Sequence, residues 1–513
     1  MMSSPLSLLA ARIRAARVPV AGVLFMASAG TVCAQDSTAD AGARRSVSVV
    51  PRVSVTETLT DNVRLSSTGR QAEQTTEISP GIRITSDSRR LKAYFDYSLN
   101  EVLYAQNSSP SQLQNALSAF GTLEAVDNWA YVDFSGSISQ QTISAFGTQS
   151  FGNTSINANR TEVSSYRISP YLKGRLGNVA NYEARYSRAV TGSEAAIASG
   201  VTTVDGLVKI SGDTSFRRLG WSTDVSRQSV DYSAGRPTEV DRLNVGLSYL
   251  VSPQLSLFAN AGREANNYTS LDKQNYATSG FGANWSPSER TRLSAARYRR
   301  SFGDAHSFSF DHRTARTAWK FSDTKDVSTT PGLSDFASLD VIADVLNREY
   351  ERVGVVAPPQ LINFLLSIPG FTNGFLTSAV SLQRRQDLSF SLLGVRDTIT
   401  FLASRSESSR LDTVSSNLLD DFTTSSLVRQ RGLSVNYAHR LAPDYSLGVL
   451  VSQQNTSGDL TQQDTKLRLL NVNVTGKVGK QATASLGLRH VISSGNTAPY
   501  VENAVIGSLN VQF

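Results

Sequence analysis

The feature that most constrains this chain is an alternation of apolar and polar side chains, period two, that returns in short segments from about residue 47 to the C-terminus. In Leu91-Lys92-Ala93-Tyr94-Phe95-Asp96-Tyr97-Ser98-Leu99-Asn100, one set of alternate positions is Leu, Ala, Phe, Tyr, Leu and the other is Lys, Tyr, Asp, Ser, Asn. Successive side chains of a strand point to opposite faces, so such a segment is a strand wet on one side only. The pattern recurs in Ala130-Tyr131-Val132-Asp133-Phe134, in Leu243-Asn244-Val245-Gly246-Leu247-Ser248-Tyr249 and in Leu433-Ser434-Val435-Asn436-Tyr437. Each segment alone is short; their repetition carries the inference. After residue 34 no stretch approaches the ~20 apolar residues a spanning helix needs. With 40% hydrophobic residues and a mean hydropathy of −0.20, the chain instead suits a transmembrane antiparallel β-barrel, whose strands meet lipid on one face and water on the other.

Turn spacing extends this reading. Tight connections fall near Asp87-Ser88, Asp127-Asn128, Gly177-Asn178, Ser252-Pro253, Ser286-Pro287, Ala442-Pro443 and Gly479-Lys480. Between them lie mostly longer polar stretches, near 60–76, 141–162, 191–202, 229–241, 264–275, 407–427 and 493–501. Short periplasmic turns and long outer loops are the asymmetry of outer-membrane barrels. The expected fold is all-β, a barrel of about 22 strands, with 18 or 20 compatible because 303–327 reads as one strand or two. An even count puts both ends on the periplasmic side. Residues 331–376 break the rhythm: Leu333 to Leu346 has helical spacing, and Pro358-Pro359 precedes a second apolar piece, Leu361 to Leu366. This partly helical loop insertion is expected at the outer mouth, either as a constriction or packed on the rim.

Both ends carry targeting signals. Arg12, Arg14 and Arg17 precede the apolar run Val18–Ala27 and the small residues Ser28 to Gly30, the layout of a secretory signal peptide. Cleavage is expected after Ala34, leaving 35–46 as a short periplasmic segment before a barrel over 47–513. Cys33 evokes a lipoprotein, but Val32 stands where lipid attachment requires a very small residue. Cleavage removes the only cysteine, excluding disulfides and thiolate chemistry, and takes the net charge from +7 to +4, too mild for a nucleic-acid partner. At the other end Leu509, Val511 and Phe513 share one face, an expected assembly signal for the outer-membrane insertion machinery, with outer-membrane lipid and lipopolysaccharide as surroundings.

No catalytic residue, metal site or cofactor is expected. Gly-x-Ser-x-Gly, His-Glu-x-x-His and the phosphate-binding loop are missing, and His306, His312, His439 and His490 are scattered. His439 is the best candidate base, yet alternation places it with Val435 and Tyr437 on the lipid side. The lumen is the better site. Projected inward are Lys92, Arg167, Lys173, Arg175, Arg185, Arg297, Arg299 and Arg385, with Asp96, Asp311 and Asp387; Arg242, Arg440, Arg489, Asp133, Glu183 and Asp224 join them. Such a wall either favours anionic or neutral hydrated solutes or pairs its charges across strands to stiffen a wide barrel.

The chain also resembles the outer-membrane β-barrel proteins of PEP-CTERM and exosortase systems, which are encoded beside exopolysaccharide biosynthesis genes. The resemblance is carried by Thr56-Glu57-Thr58-Leu59-Thr60-Asp61-Asn62-Val63, Thr76-Glu77-Ile78-Ser79-Pro80-Gly81, Asn159-Arg160-Thr161-Glu162-Val163 and Ile168-Ser169-Pro170-Tyr171, with Leu382-Gln383-Arg384-Arg385-Gln386 and Gly394-Val395-Arg396-Asp397-Thr398 further on. It implies a Gram-negative outer-membrane barrel working with an extracellular polysaccharide or a linked sorting system, and brings no reaction. Two functions follow as expectations: a channel for exopolysaccharide or another hydrated solute, or a plugged barrel anchoring surface polymer or a partner complex.

Overall fold

The computed structural model describes residues 47–195, 200–216, 218–233, 235–329, 375–412, 414, 420–459, 463–495 and 499–513. The expected leader (1–34), the segment 35–46 and nearly all of the 331–376 insertion, with its helical spacing, lie outside these residues.

Alternating segments become strands. The first seven are β1 (Val47–Thr60), β2 (Glu73–Asp87), β3 (Leu91–Tyr104), β4 (Gln112–Val126), β5 (Ala130–Thr142), β6 (Arg160–Leu176) and β7 (Ala180–Ser193). The next eight are β8 (Val201–Asp213), β9 (Leu219–Tyr232), β10 (Thr238–Ser252), β11 (Leu255–Asn266), β12 (Gln274–Ser288), β13 (Thr291–Arg300), β14 (Gly303–Arg313) and β15 (Thr317–Ser328). The last seven are β16 (Ser381–Leu393), β17 (Asp397–Arg410), β18 (Leu427–Ala442), β19 (Tyr445–Ser457), β20 (Thr465–Lys477), β21 (Ala482–Gly495) and β22 (Tyr500–Gln512). Neighbours in sequence pair antiparallel, and β22 returns to β1, closing one 22-stranded sheet. The ambiguous stretch 303–327 is two strands, β14 and β15, joined by the tight turn 314–316. Among the described residues the only helix is a single 3-10 turn, Asp421–Thr423. Closure leaves no unpaired edge, which matters because each unsatisfied backbone group in hydrocarbon costs several kcal/mol.

Directly opposed residues share a face, so the phase of one strand fixes its neighbours'. One row runs Leu255, Trp285, Leu293, Phe310, Phe321, Leu388, Ala403, Leu433 across consecutive strands. Carried round to the seam, the phase still agrees, with Val55 opposite Leu509 and Val53 opposite Val511. This outer face holds exposed Leu247, Phe281, Leu433, Leu486 and Leu488, an apolar belt only lipid can cover.

The rims differ. Turns such as 88–90, 127–129, 177–179 and 443–444 lie at one end, where Asn128 (φ 57) and Gly177 (φ 58) supply the left-handed residue a tight reversal needs. All four tryptophans, Trp129, Trp221, Trp285 and Trp319, gather at this end, as in the aromatic girdle of a membrane interface. Most long loops lie at the other end, where the shortest connection joins β13 and β14 through Ser301 and Phe302 alone. Buried apolar clusters concentrate beneath the long loops: Val63 with Val102 and Tyr104, Val201 with Val230 and Tyr232, and Val240 with Tyr268 and Val380.

Candidate functional site

The wall of the lumen is built by the alternate positions that do not meet lipid. Register turns Lys92, Asp96, Arg167, Lys173, Arg175, Arg185, Asp311, Arg385 and Asp387 inward, together with Asp133, Glu183, Asp224, Arg242, Arg440 and Arg489. Arg297 and Arg299 are a correction: they oppose Phe281 and Ser279 on the outward face. Arg297-Tyr298-Arg299-Arg300 carries charge on both faces, so charge alone cannot phase this strand. Leu293 can, because it shares the odd positions and lies in the lipid-facing row. The inward arginine of β13 is Arg300, which the sequence reading passed over.

Many of these charges are paired within the wall. Asp96 lies 3.1 Å from Arg52 Nη1 and 2.9 Å from Arg83 Nε. Gly81 stands between on β2, where a Cβ would come within 2.9 Å of Arg52 Nε; its bare backbone lets Arg52 reach across. Arg185 donates to Asp133 at 2.7 Å and to Glu183 at 2.9 Å. Arg385 donates to Asp387 at 2.6 Å, and Glu264, 1% exposed, sits between Arg300 at 2.9 Å and Arg242 at 3.4 Å. Cross-strand pairing of this kind ties adjacent strands together.

A second element faces the water near the short-turn rim. Tyr94 stacks on Phe120, centroids 5.2 Å apart, and Tyr131 on Tyr171 at 5.1 Å. Lys173 Nζ lies 4.1 Å above the Tyr131 ring and the Arg185 guanidinium 3.9 Å above Tyr171. Phe120 points inward yet is 55% exposed, so the lumen is wet at this level. The strip therefore presents open ring faces beside cations and carboxylates, chemistry suited to a hydrated molecule with both apolar C–H faces and polar groups. Its rings were visible in the sequence as aromatic residues on polar faces, but alternation assigned them only a side.

The long-loop mouth is bridged. Residues 143–159, between β5 and β6, run inward as a strap: Tyr104 Oη donates to Thr154 O (3.2 Å), Tyr500 Oη to Gln149 O (2.5 Å) and Gln114 Nε2 to Asn153 O (3.1 Å). On the far wall, Asp421 accepts from Ser144 Oγ at 2.5 Å and from Ala145 N at 2.7 Å. Phe146, Phe375, Ala379, Phe422 and Val428 bury their side chains together around this clasp. Burial holds the Asp421 carboxyl above its usual range, at about 6, although the two donors pull the other way. Gly152 (φ 100) passes against Arg489, where a Cβ would lie 2.8 Å from its Nη1.

His439 stands apart from both elements. It projects outward at the short-turn rim, 2.6 Å from Asp397 Oδ1, an oxygen that also accepts from Tyr437 Oη. That cluster faces the headgroup zone, not the lumen.

No family profile and no curated protein matches the sequence. Among solved structures, the chain is similar to the FrpB iron transporter from Neisseria meningitidis, F5-1 variant, apoprotein form (11% identity, TM-score 0.47, 90% of this chain and 81% of that chain). Others are the siderophore receptors PirA from Acinetobacter baumannii (7%, TM-score 0.47, 91% and 80%) and PirA from Pseudomonas aeruginosa (9%, TM-score 0.44, 91% and 80%). The closed sheet, its lipid-facing belt, its aromatic girdle and its wet, charged lumen come from this chain's own residues. They make it an outer-membrane β-barrel of a Gram-negative bacterium.

Proposed function

We propose that this barrel is a gated conduit for a hydrated glycan, of the exopolysaccharide class its sequence resemblance implies. The observation that carries the reading is the strip of stacked rings under cations at the short-turn mouth, placed to receive sugar faces and acidic groups from the periplasmic side. The strap at the opposite mouth is then the gate, since a polymer leaving on the long-loop side must displace it. The same strap supports the second reading, a plugged barrel that anchors surface polymer without conducting.

Planar-bilayer conductance separates the two. The intact chain is expected to pass little current, and replacing 145–157 by a short Gly-Ser linker is expected to open large, stable steps. Acidic oligosaccharides added on the short-turn side should block those steps, about tenfold more weakly in Phe120→Ala combined with Tyr171→Ala. Absence of current before and after the replacement overturns the conduit and leaves the anchor. Current without block overturns the glycan.

A further inference from the structure

The lipid-facing surface of a barrel ought to be apolar, yet on one side of this molecule it is basic. On β16 to β20, toward the long loops, the outward positions include Arg384, Arg405, Arg429, Arg431, Lys466 and Arg468; Arg384 is held by Asp323 of β15 at 3.0 Å, and against the others stands the single carboxylate Glu407. Register sharpens this. Arg405 lies directly opposite Arg431, Arg431 opposite Asn455, and Asn455 opposite Lys466, so three cations occupy one row across four strands. Opposed residues have Cβ atoms ~5 Å apart, and like charges so placed destabilise a sheet unless an anion sits between them. Glu407 engages Arg405 at 2.6 Å and Arg429 at 3.8 Å, leaving Arg431 and Lys466 beyond it. Toward the short turns the same strands become apolar, at Leu433 one outward position on and at Val451 and Leu470 two outward positions on, past Gln453 and Arg468; all three are exposed. Further round the sheet, past β21 and β22, the outward positions of β1 to β4 carry Glu57 and Glu101 and no lysine or arginine.

We infer that this arc is a binding surface for the phosphorylated glycolipid of the outer leaflet, its phosphates on the Arg405–Arg431–Lys466 row and its acyl chains on the apolar belt beneath. Three features select that occupant. The arc lies on the long-loop half of the barrel, which faces the cell exterior. It lies directly above a surface that only hydrocarbon covers. Its charge demands an anion with several oxygens, and guanidinium groups bind phosphate in bidentate fashion. The inference rests on the outer-membrane assignment and is independent of whether the lumen conducts.

The test uses the full mature chain in detergent, titrated with diphosphorylated lipid A and observed by native mass spectrometry. Wild type is expected to retain the lipid. Arg405→Gln/Arg431→Gln/Lys466→Gln should lose at least tenfold in affinity, and Glu57→Gln/Glu101→Gln on the outward face of β1 and β3 should not. Dephosphorylated lipid A, or phosphatidylglycerol at equal concentration, should bind the wild type at least tenfold more weakly. Equal retention by the triple variant, or equal binding of either control lipid, overturns the inference. Heat-modifiable mobility on a cold gel verifies that each variant is a closed barrel; should the triple variant fail it, Arg431→Gln alone is read, with a several-fold loss expected and no loss counting against the site. Failure of the wild-type barrel to enter lipid vesicles would instead undo the membrane assignment.

Discussion

At the scale of single residues, the lumen is decided by which carboxylates are enclosed. Glu264 is almost wholly buried and holds Arg242 and Arg300, with Ser301 and Asn266 also donating to it. Glu264→Ala leaves two guanidinium groups facing one another without their anion, and breaking a buried pair from one side costs about 3 kcal/mol. Guanidinium unfolding in phospholipid vesicles should show that loss, with Glu264→Gln losing less because it keeps hydrogen-bond acceptance. An unchanged midpoint for Glu264→Ala would mean that water, not Glu264, neutralises the arginines. Only half of this site was legible beforehand. Arg242 is flanked by the unambiguous alternation of Leu243, Val245 and Leu247, whereas Arg300 ends a run of charges, and its inward direction is visible only by counting back to Leu293.

Among elements, the strap and its clasp carry the dynamics. Asp421 has a folded-state value of about 6 against an ordinary 3.8, so the clasped state holds the proton more tightly than the released one. The stabilisation is complete below about 3.8 and is lost as the pH rises through 6. Protection factors of the amides of 144–159, their exchange rates divided into the intrinsic rate at each pH, should therefore be higher at pH 5 than at pH 8. Asp421→Asn, uncharged at both, should remove the difference; a difference that survives in the variant assigns the pH effect elsewhere. The strands were open to a reading by alternation because each carries its own period of two. The strap was not, because Ser144 and Asp421 are distant in sequence, both polar, and lie in segments without a period. Their meeting is a consequence of barrel closure, which brings β5 and β18 to opposite walls of one mouth.

For the whole molecule, stability turns on a seam. β1 pairs with β2 from Val47 to Thr60 but with β22 only from Arg52 to Thr60, so the join that closes the sheet is the shorter ladder on that strand. Leu509 and Val511 face lipid there, opposite Val55 and Val53, and Phe513 N donates to Pro51 O, fixing the last residue at the short-turn rim. Ser508, one position away, faces the lumen opposite Thr56 and Ser485. The two positions thus share a strand and a depth but differ in solvent. An arginine on the lipid face costs up to ~2–4 kcal/mol at mid-membrane, less toward an interface, whereas a lumen arginine stays hydrated. Leu509→Arg should accordingly lower the fraction of closed barrel after refolding into thin vesicles, read as the heat-modifiable band on a cold gel, while Ser508→Arg leaves it near wild type. Equal losses in both would show that the seam is limited by the crowding of the ladder itself, and the phase of β22 would then play no part in how the barrel closes.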